Sequence, residues 1–219
     1  MPCLYINIHS HSPAGAGEWT IQNLYTRFEE TGEQGYYSMG LHPWHIQPGT
    51  AGSELNELKK YSRKENVLAI GECGLDRICE TPIQFQEEVF IQQLLWANEI
   101  NKPLILHCVR AHDALLRLLK KHGNRVPVIF HGFHNGFPLA QKIMEAGHRI
   151  SFGKALQQKN MQEVFKQCNL SGIFLETDDA HIRIQDQYTL AAGLKNISEE
   201  QLSLQLKQNV QTVFNTEII

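Results

Sequence analysis

The stretch Val67-Leu68-Ala69-Ile70-Gly71-Glu72 sets four apolar residues in a row directly ahead of a glycine and a carboxylate. A run that is apolar throughout, with no in/out alternation, suits a parallel strand covered on both faces. The pattern recurs along the chain. Residues 4–8 lead into His9-Ser10-His11, residues 103–106 into His107, residues 126–130 into His131, and residues 173–175 into Glu176-Thr177-Asp178. Residues 36–41 and 149–152 add two further runs.

Amphipathic stretches separate these runs. Thr81-Pro82 reads as an N-cap with proline in the first turn, ahead of Phe85, Val89, Ile91, Leu94 and Leu95 at near-helical spacing up to Asn98. Residues 114–121 end in Lys120-Lys121 with Gly123 placed to cap, and residues 138–146 end at Gly147. Ser198 with Gln201 forms a capping-box pattern before the apolar series from Leu202 to Val213 of a closing helix. Neither a linker nor a repeat interrupts the rhythm, so a single domain over residues 1–219 is expected. The class is α/β, and seven or eight such strands separated by helices form either a doubly wound sheet or a shortened TIM-type (β/α) barrel, which needs an eighth strand. Its eighth strand has only a weak candidate, residues 18–25 with Trp19 and Ile21, and so little chain follows before Tyr36 that the crossover helix after this second strand is expected to be missing.

Composition narrows the function classes. The 219 residues are 42% apolar, enough for a real core, and no apolar run approaches the ~18 residues of a membrane span. The opening Met1-Pro2-Cys3-Leu4-Tyr5 has no basic stretch and no cleavage site, so the reading is of a soluble, cytoplasmic protein. A net charge of −3 without a long basic block excludes a broad electrostatic footprint for duplex nucleic acid, so a polyanion must be gripped locally. Five cysteines (Cys3, Cys73, Cys79, Cys108 and Cys168) form no C-x-x-C pair, which argues for reduced thiols over disulfide partners or a zinc knuckle. Histidine is abundant at 11 residues, and imidazole is the commonest metal ligand.

Strand geometry points His9 and His11 to the same side. In a parallel barrel the C-terminal strand ends share one rim, where His9, His11, Glu72, His107, His131 and Asp178 would meet. Six N and O donors suit two divalent ions. The rival reading treats each residue singly, as a histidine bonded to a carbonyl or a carboxylate capping a helix. His42, His45 and Arg110 are candidates for phosphate contacts, with His134 and His181 also placed to line the pocket. Structural roles compete at several of these positions: His42 before Pro43 as a loop anchor, Trp44 as half-buried packing, and Arg110 paired with Asp113. His112, His122 and His148 read as surface residues, while Cys73 and Cys108 turn away from the ligands toward packing.

Taken together, H-x-H, Gly40-Leu41-His42-Pro43, Gly71-Glu72-Cys73-Gly74-Leu75-Asp76, His107 after its apolar run, His131-x-Phe133, Ile150-Ser151-Phe152 and Glu176-Thr177-Asp178 resemble the TatD family of metal-dependent hydrolases, in the same order and over almost the whole chain. The resemblance implies a TIM-like barrel, a two-metal centre and cleavage of phosphodiesters, often of DNA from an end. It would put His9, His11 and Asp178 on one ion and His107 and His131 on the other, with Glu72 bridging. A shared carboxylate offsets the repulsion of two cations, which can together deprotonate a water at neutral pH. Asp178 would accept a proton, making Asp178 and Glu72 the catalytic pair. Four imidazoles favour Zn or Mn, with Mg as the alternative.

The chain departs from the family pattern at Asn7, where many members carry Asp, at His134-Asn135, at Asp179-Ala180, and in the spacing of Arg110 from His107. The substrate class expected is therefore a phosphodiester, either DNA ends or short oligonucleotides. Two other readings compete: an amidohydrolase acting on a small amide or ester, and a non-catalytic nucleotide-binding relative. Residues 67–72 contain no lysine that could be carboxylated into a bridge, which favours the phosphoesterase. A phosphoesterase of PHP type also opens with H-x-H but fits the remaining motifs less well. A monomer is compatible with the sequence.

Overall fold

The computed structural model describes residues 3–216 and residue 218; the Met1-Pro2 start of the leader reading lies outside them. Eight parallel strands follow chain order in one sheet. They are β1 (Tyr5–Ser10), β2 (Glu18–Leu24), β3 (Tyr36–Met39), β4 (Val67–Asp76), β5 (Leu104–Val109), β6 (Val128–Phe130), β7 (Arg149–Phe152) and β8 (Ile173–Leu175). The helices are α1 (Ala51–Tyr61), α2 (Ile83–Ile100), α3 (His112–Lys121), α4 (Phe137–Glu145), α5 (Lys159–Gln167), α6 (Ile184–Lys195) and α7 (Glu199–Phe214). Just past β8, the Asp178 N–H donates to the His9 carbonyl (3.0 Å) and the His11 N–H to the Asp178 carbonyl (3.1 Å), which brings the last strand beside the first. This is the strand order of a TIM-type barrel. No described helix is long and apolar enough to cross a membrane.

The weak second strand is real, with three of its residues, Trp19, Thr20 and Ile21, buried in succession. Its connection to β3 holds only a 3-10 turn (Phe28–Glu30), as expected. A second crossover helix is also absent: residues 11–17, between β1 and β2, form none. That segment, with Pro13, Gly15 and Gly17, is too short for the dozen or so residues a helical crossover takes.

The chain divides into two compact units, residues 1–22 with 130–219 and residues 23–129. In the first, α6 and α7 pack on β1 and β8. Ile6, Ile8, Phe152, Ile173, Phe174 and Leu175 have no exposed surface, and the Tyr188 hydroxyl accepts the Ile6 N–H at 2.8 Å. The capping box at Ser198 and Gln201 forms as expected and starts α7.

In the second unit, β4 is buried over all ten residues and α2 packs on it. The expected strand ended at Gly71-Glu72, yet β4 continues through Gly74 to Asp76. Gly74 sits at φ +144°, and a methyl there would run into the His107 carbonyl oxygen, so the bare backbone lets β4 and β5 stay paired past Glu72. Helix α2 begins one residue later than expected: Pro82 occupies the N-cap position, where its side chain has no atom to accept a helix N–H, and Gln86 donates back to the Thr81 and Asp76 carbonyls. Helix α4 begins at Phe137, one residue before the expected start, with Pro138 inside its first turn.

Candidate metal centre

In the first unit, His9 on β1 is fully buried and His11 follows the strand. Their rings stand 5.6 Å apart at 89°, which aims both Nε2 atoms at one carboxylate oxygen, Asp178 Oδ1, at 3.3 and 3.4 Å. Asp178 takes a left-handed φ of +54°, a conformation Asp tolerates better than most residues, and it is held there by the backbone bonds to His9 and His11. Burial alone would raise its carboxyl, but hydrogen bonds from His11 and His9 outweigh that and hold it well below the usual carboxylate range. His131, just after β6, packs its ring 4.4 Å from that of His9. Its Nδ1 lies 3.5 Å from Oε1 of Glu176, a fully buried carboxylate that also accepts from the Gly132 N–H at 2.8 Å and from the Ser151 hydroxyl.

In the second unit, Glu72 lies inside β4, not at its end, and its Oε1 meets His107 Nδ1 at 2.8 Å and His42 Nε2 at 3.2 Å. The other nitrogen of His107 faces Asp76 Oδ2 at 3.1 Å. Neither carboxylate can donate when ionised, so both contacts are satisfied together only with a proton on each ring nitrogen. The Trp44 N–H donates to His42 Nδ1 at 3.2 Å, which leaves Nε2 as the His42 donor to Glu72. Burial lowers the His42 pKa, against the pull of Glu72. Burial would raise Asp76, but bonds from Trp44 Nε1 (2.7 Å), the Ile78 N–H (2.8 Å) and His107 more than offset it, and the carboxyl titrates lower than normal.

The donor sets fit divalent cations. The ligand atoms of His9, His11 and Asp178 lie within 4.8 Å of one another, as do those of His131, Glu176 and Asp178, and those of His42, Glu72 and His107. Each set mixes imidazole with carboxylate, the chemistry of Zn or Mn sites. A cation at His107 would take the place of the second ring proton that its two carboxylates otherwise demand.

The structure thus gathers His9, His11, His131 and Asp178 in one unit, and Glu72 and His107 in the other. Of the expected phosphate contacts, only His42 joins a cluster. His45 is exposed and stacks on Tyr25 at 5.2 Å, while Arg110 and His181 are exposed. His134 is exposed with Nδ1 2.9 Å from the Gly132 carbonyl, lining with Asp178 a cavity of about 460 Å³. His112, His122 and His148 are half-buried, not surface residues; burial lowers the pKa of His148, whose ring sits 6.0 Å from Phe130. Trp44, expected as half-buried packing, is 58% exposed. Cys73 and Cys108 are buried as expected.

Two members were missed by sequence reasoning, Asp76 and Glu176. The signal for Asp76 was its parity: residues 72, 74 and 76 of one strand share a face. For Glu176 it was only its place in Glu176-Thr177-Asp178, since a carboxylate just past an apolar strand was read as a motif letter and not as a partner for His131.

The family model described as "TatD related DNase" matches residues 9–215. The chain is 27% identical over 200 residues to the uncharacterized metal-dependent hydrolase YjjV of Escherichia coli, covering 82% of this chain and 76% of that one. It is 31% identical over 164 residues to the 3'-5' ssDNA/RNA exonuclease TatD of Klebsiella pneumoniae, covering 72% and 62%. The crystal structure of E. coli YjjV, a TatD homologue, superposes with a TM-score of 0.82 at 22% identity over 98% of this chain and 99% of that one. A TatD family hydrolase from Entamoeba histolytica gives 0.80 at 17%, over 98% and 99%. These likenesses show the TIM-type fold, and with the match from residue 9 to residue 215 the chain belongs to the TatD-related DNase family of metal-dependent hydrolases.

Proposed function

We propose that this chain is a two-metal phosphodiesterase acting on DNA ends or short oligonucleotides. The observation that carries the reading is His107 held between two carboxylates, Glu72 at 2.8 Å and Asp76 at 3.1 Å, an arrangement that asks for positive charge on both sides of one imidazole. In this reading, as the family resemblance implies, His9, His11 and Asp178 would hold one cation and His107 and His131 the other, with Glu72 serving both. When bound, two divalent cations supply Lewis acidity, polarising phosphoryl oxygens and making water a stronger acid.

The chain's own groups do the rest. Asp178, with a depressed pKa, is ionised at neutral pH and takes the proton of the attacking water. Asp76 and Glu176 orient His107 and His131 through the ring nitrogens they face. His42, fixed as an Nε2 donor, holds Glu72 in place. The named activity of the Klebsiella relative, on single-stranded DNA and RNA, supports a nucleic acid substrate.

The test pairs metal analysis of the purified protein with activity on single-stranded DNA, duplex DNA, mononucleotides, and a panel of carboxylic esters and amides, each with Zn, Mn, Mg and Co. Hydrolysis of phosphodiesters that is lost on chelation and restored by metal supports the proposal. Metal binding with hydrolysis only of amides or esters, or of nothing, refutes it.

A further inference from the structure

Among the described residues, five large apolar side chains are exposed, and two of them, Trp44 and Ile78, line the same cavity of about 590 Å³. Trp44 is 58% exposed and Ile78 62%. Ile46, Pro82 and Phe85 continue the wall, and no Lys or Arg lines the cavity; its charged members are the acids Asp76 and Glu80. The surface therefore suits a flat, uncharged group and repels phosphate.

The indole is not loose. Its Nε1–H donates to the buried Asp76 Oδ2 at 2.7 Å, and its ring meets those of His42 (5.0 Å, 84°) and His107 (5.7 Å, 76°) edge to face. Anchoring the polar edge while leaving most of the ring open lowers the ordering cost of stacking on it. The same Asp76 contacts both Trp44 and His107, so the platform is attached directly to the cluster proposed to act on the phosphate.

From this geometry we infer that Trp44 is a stacking platform for a nucleobase next to the scissile phosphodiester, with Ile78 and Phe85 as flanking walls. The inference rests on the phosphodiesterase reading and names its substrate subsite. Stacking on an aromatic side chain accepts any base, so the subsite selects for the presence of a base and not for its identity.

Two experiments test this, one independent of turnover. Trp19 and Trp96 are 7% and 6% exposed, so quenching of tryptophan fluorescence by a small solute reports mainly on Trp44. In the full chain with chelator present, adenosine monophosphate is expected to quench saturably and ribose 5-phosphate not to. Trp44→Ala should abolish the quench, and equal quenching by the two solutes would overturn the inference.

The second experiment compares kcat/KM for a metal-loaded protein on two oligonucleotides that differ only in whether the terminal residue carries a base or is abasic. The preference for the base is expected to be roughly 5- to 150-fold in the wild type, to fall to near unity in Trp44→Ala, and to be largely kept in Trp44→Phe. A loss equal on both substrates would mean that Trp44 merely positions Asp76, and would sink the proposal. If neither oligonucleotide is cleaved by the wild type, the phosphodiesterase reading fails, while the fluorescence result still decides whether Trp44 binds bases.

Discussion

Removing the amide of Asn7 should loosen the closure of β8 on β1. Asn7 is buried at the centre of β1, and its Nδ2 donates to Thr177 Oγ1 at 2.9 Å while its Oδ1 accepts the Thr177 N–H at 3.1 Å. Asn7→Ala loses both bonds, each worth ~1 kcal/mol net. The Thr177 N–H keeps a second, longer contact with the His9 carbonyl at 3.3 Å, so the further penalty of a fully orphaned donor is not incurred. The expected loss is ~2 kcal/mol, or ~4 to 8 °C in Tm for a chain of this size. Thr177 also precedes Asp178, so divalent cation affinity should fall ~10- to 100-fold, as when a group supporting a ligand is removed. Calorimetry of the metal-free protein and titration with Mn²⁺ give the two readouts. A double-mutant cycle with Thr177→Val should return a coupling of ~1 kcal/mol for the amide–hydroxyl bond. Strict additivity with an unchanged Mn²⁺ affinity would refute the claim that this amide carries the junction.

Other consequences are equally open to measurement. Glu72→Gln should fold normally by circular dichroism yet lose at least ~100-fold in hydrolysis, since the amide cannot match the charge of the carboxylate. Gly74→Ala should cost more than ~2 kcal/mol in urea unfolding, because its methyl meets the His107 carbonyl and its φ of +144° disfavours a side chain. Thiol alkylation of the folded protein at neutral pH, read by mass spectrometry, should reach the half-buried Cys3 and Cys79 but spare Cys73, Cys108 and Cys168, since burial pushes Cys108 up to about 12, Cys168 up to about 11, and Cys73 higher still. Asp178, depressed in the folded chain, adds stability that is whole above its unfolded value and is lost as pH falls through the folded one. The urea midpoint of metal-free protein should therefore drop below about pH 5, and less steeply in Asp178→Asn.

The candidate ligand residues were legible because each stands at or near the end of an apolar run, a pattern that needs no tertiary knowledge. Burial on both faces erases alternation, so β4 announced itself as a parallel strand from residue 67 onward. Its last half was not legible: the apolar run ended at Gly71-Glu72, while Gly71 and Gly74 are what allow β4 to continue against β5. The helix-free link between β1 and β2 was hidden for another reason: its shortness shows only once β2 is known to start at Glu18, and that strand had only a weak signal. The partners of the imidazoles, Asp76 and Glu176, depend on which carboxylate faces which ring nitrogen. That is a matter of side-chain direction between strands distant in sequence, and no local pattern encodes it. Trp44 was misjudged because an indole is usually covered, and only its bond to Asp76 shows why this one can stand open.

The glycines of β4 have a bearing on sequence drift. Where two main chains touch with no side chain between them, as Gly71 and Gly74 do against Ile105 and His107, the spacing of a carboxylate from an imidazole is set by peptide geometry and not by which hydrocarbons fill the interior. Such a frame lets the surrounding residues be exchanged wholesale while the reactive groups stay in register.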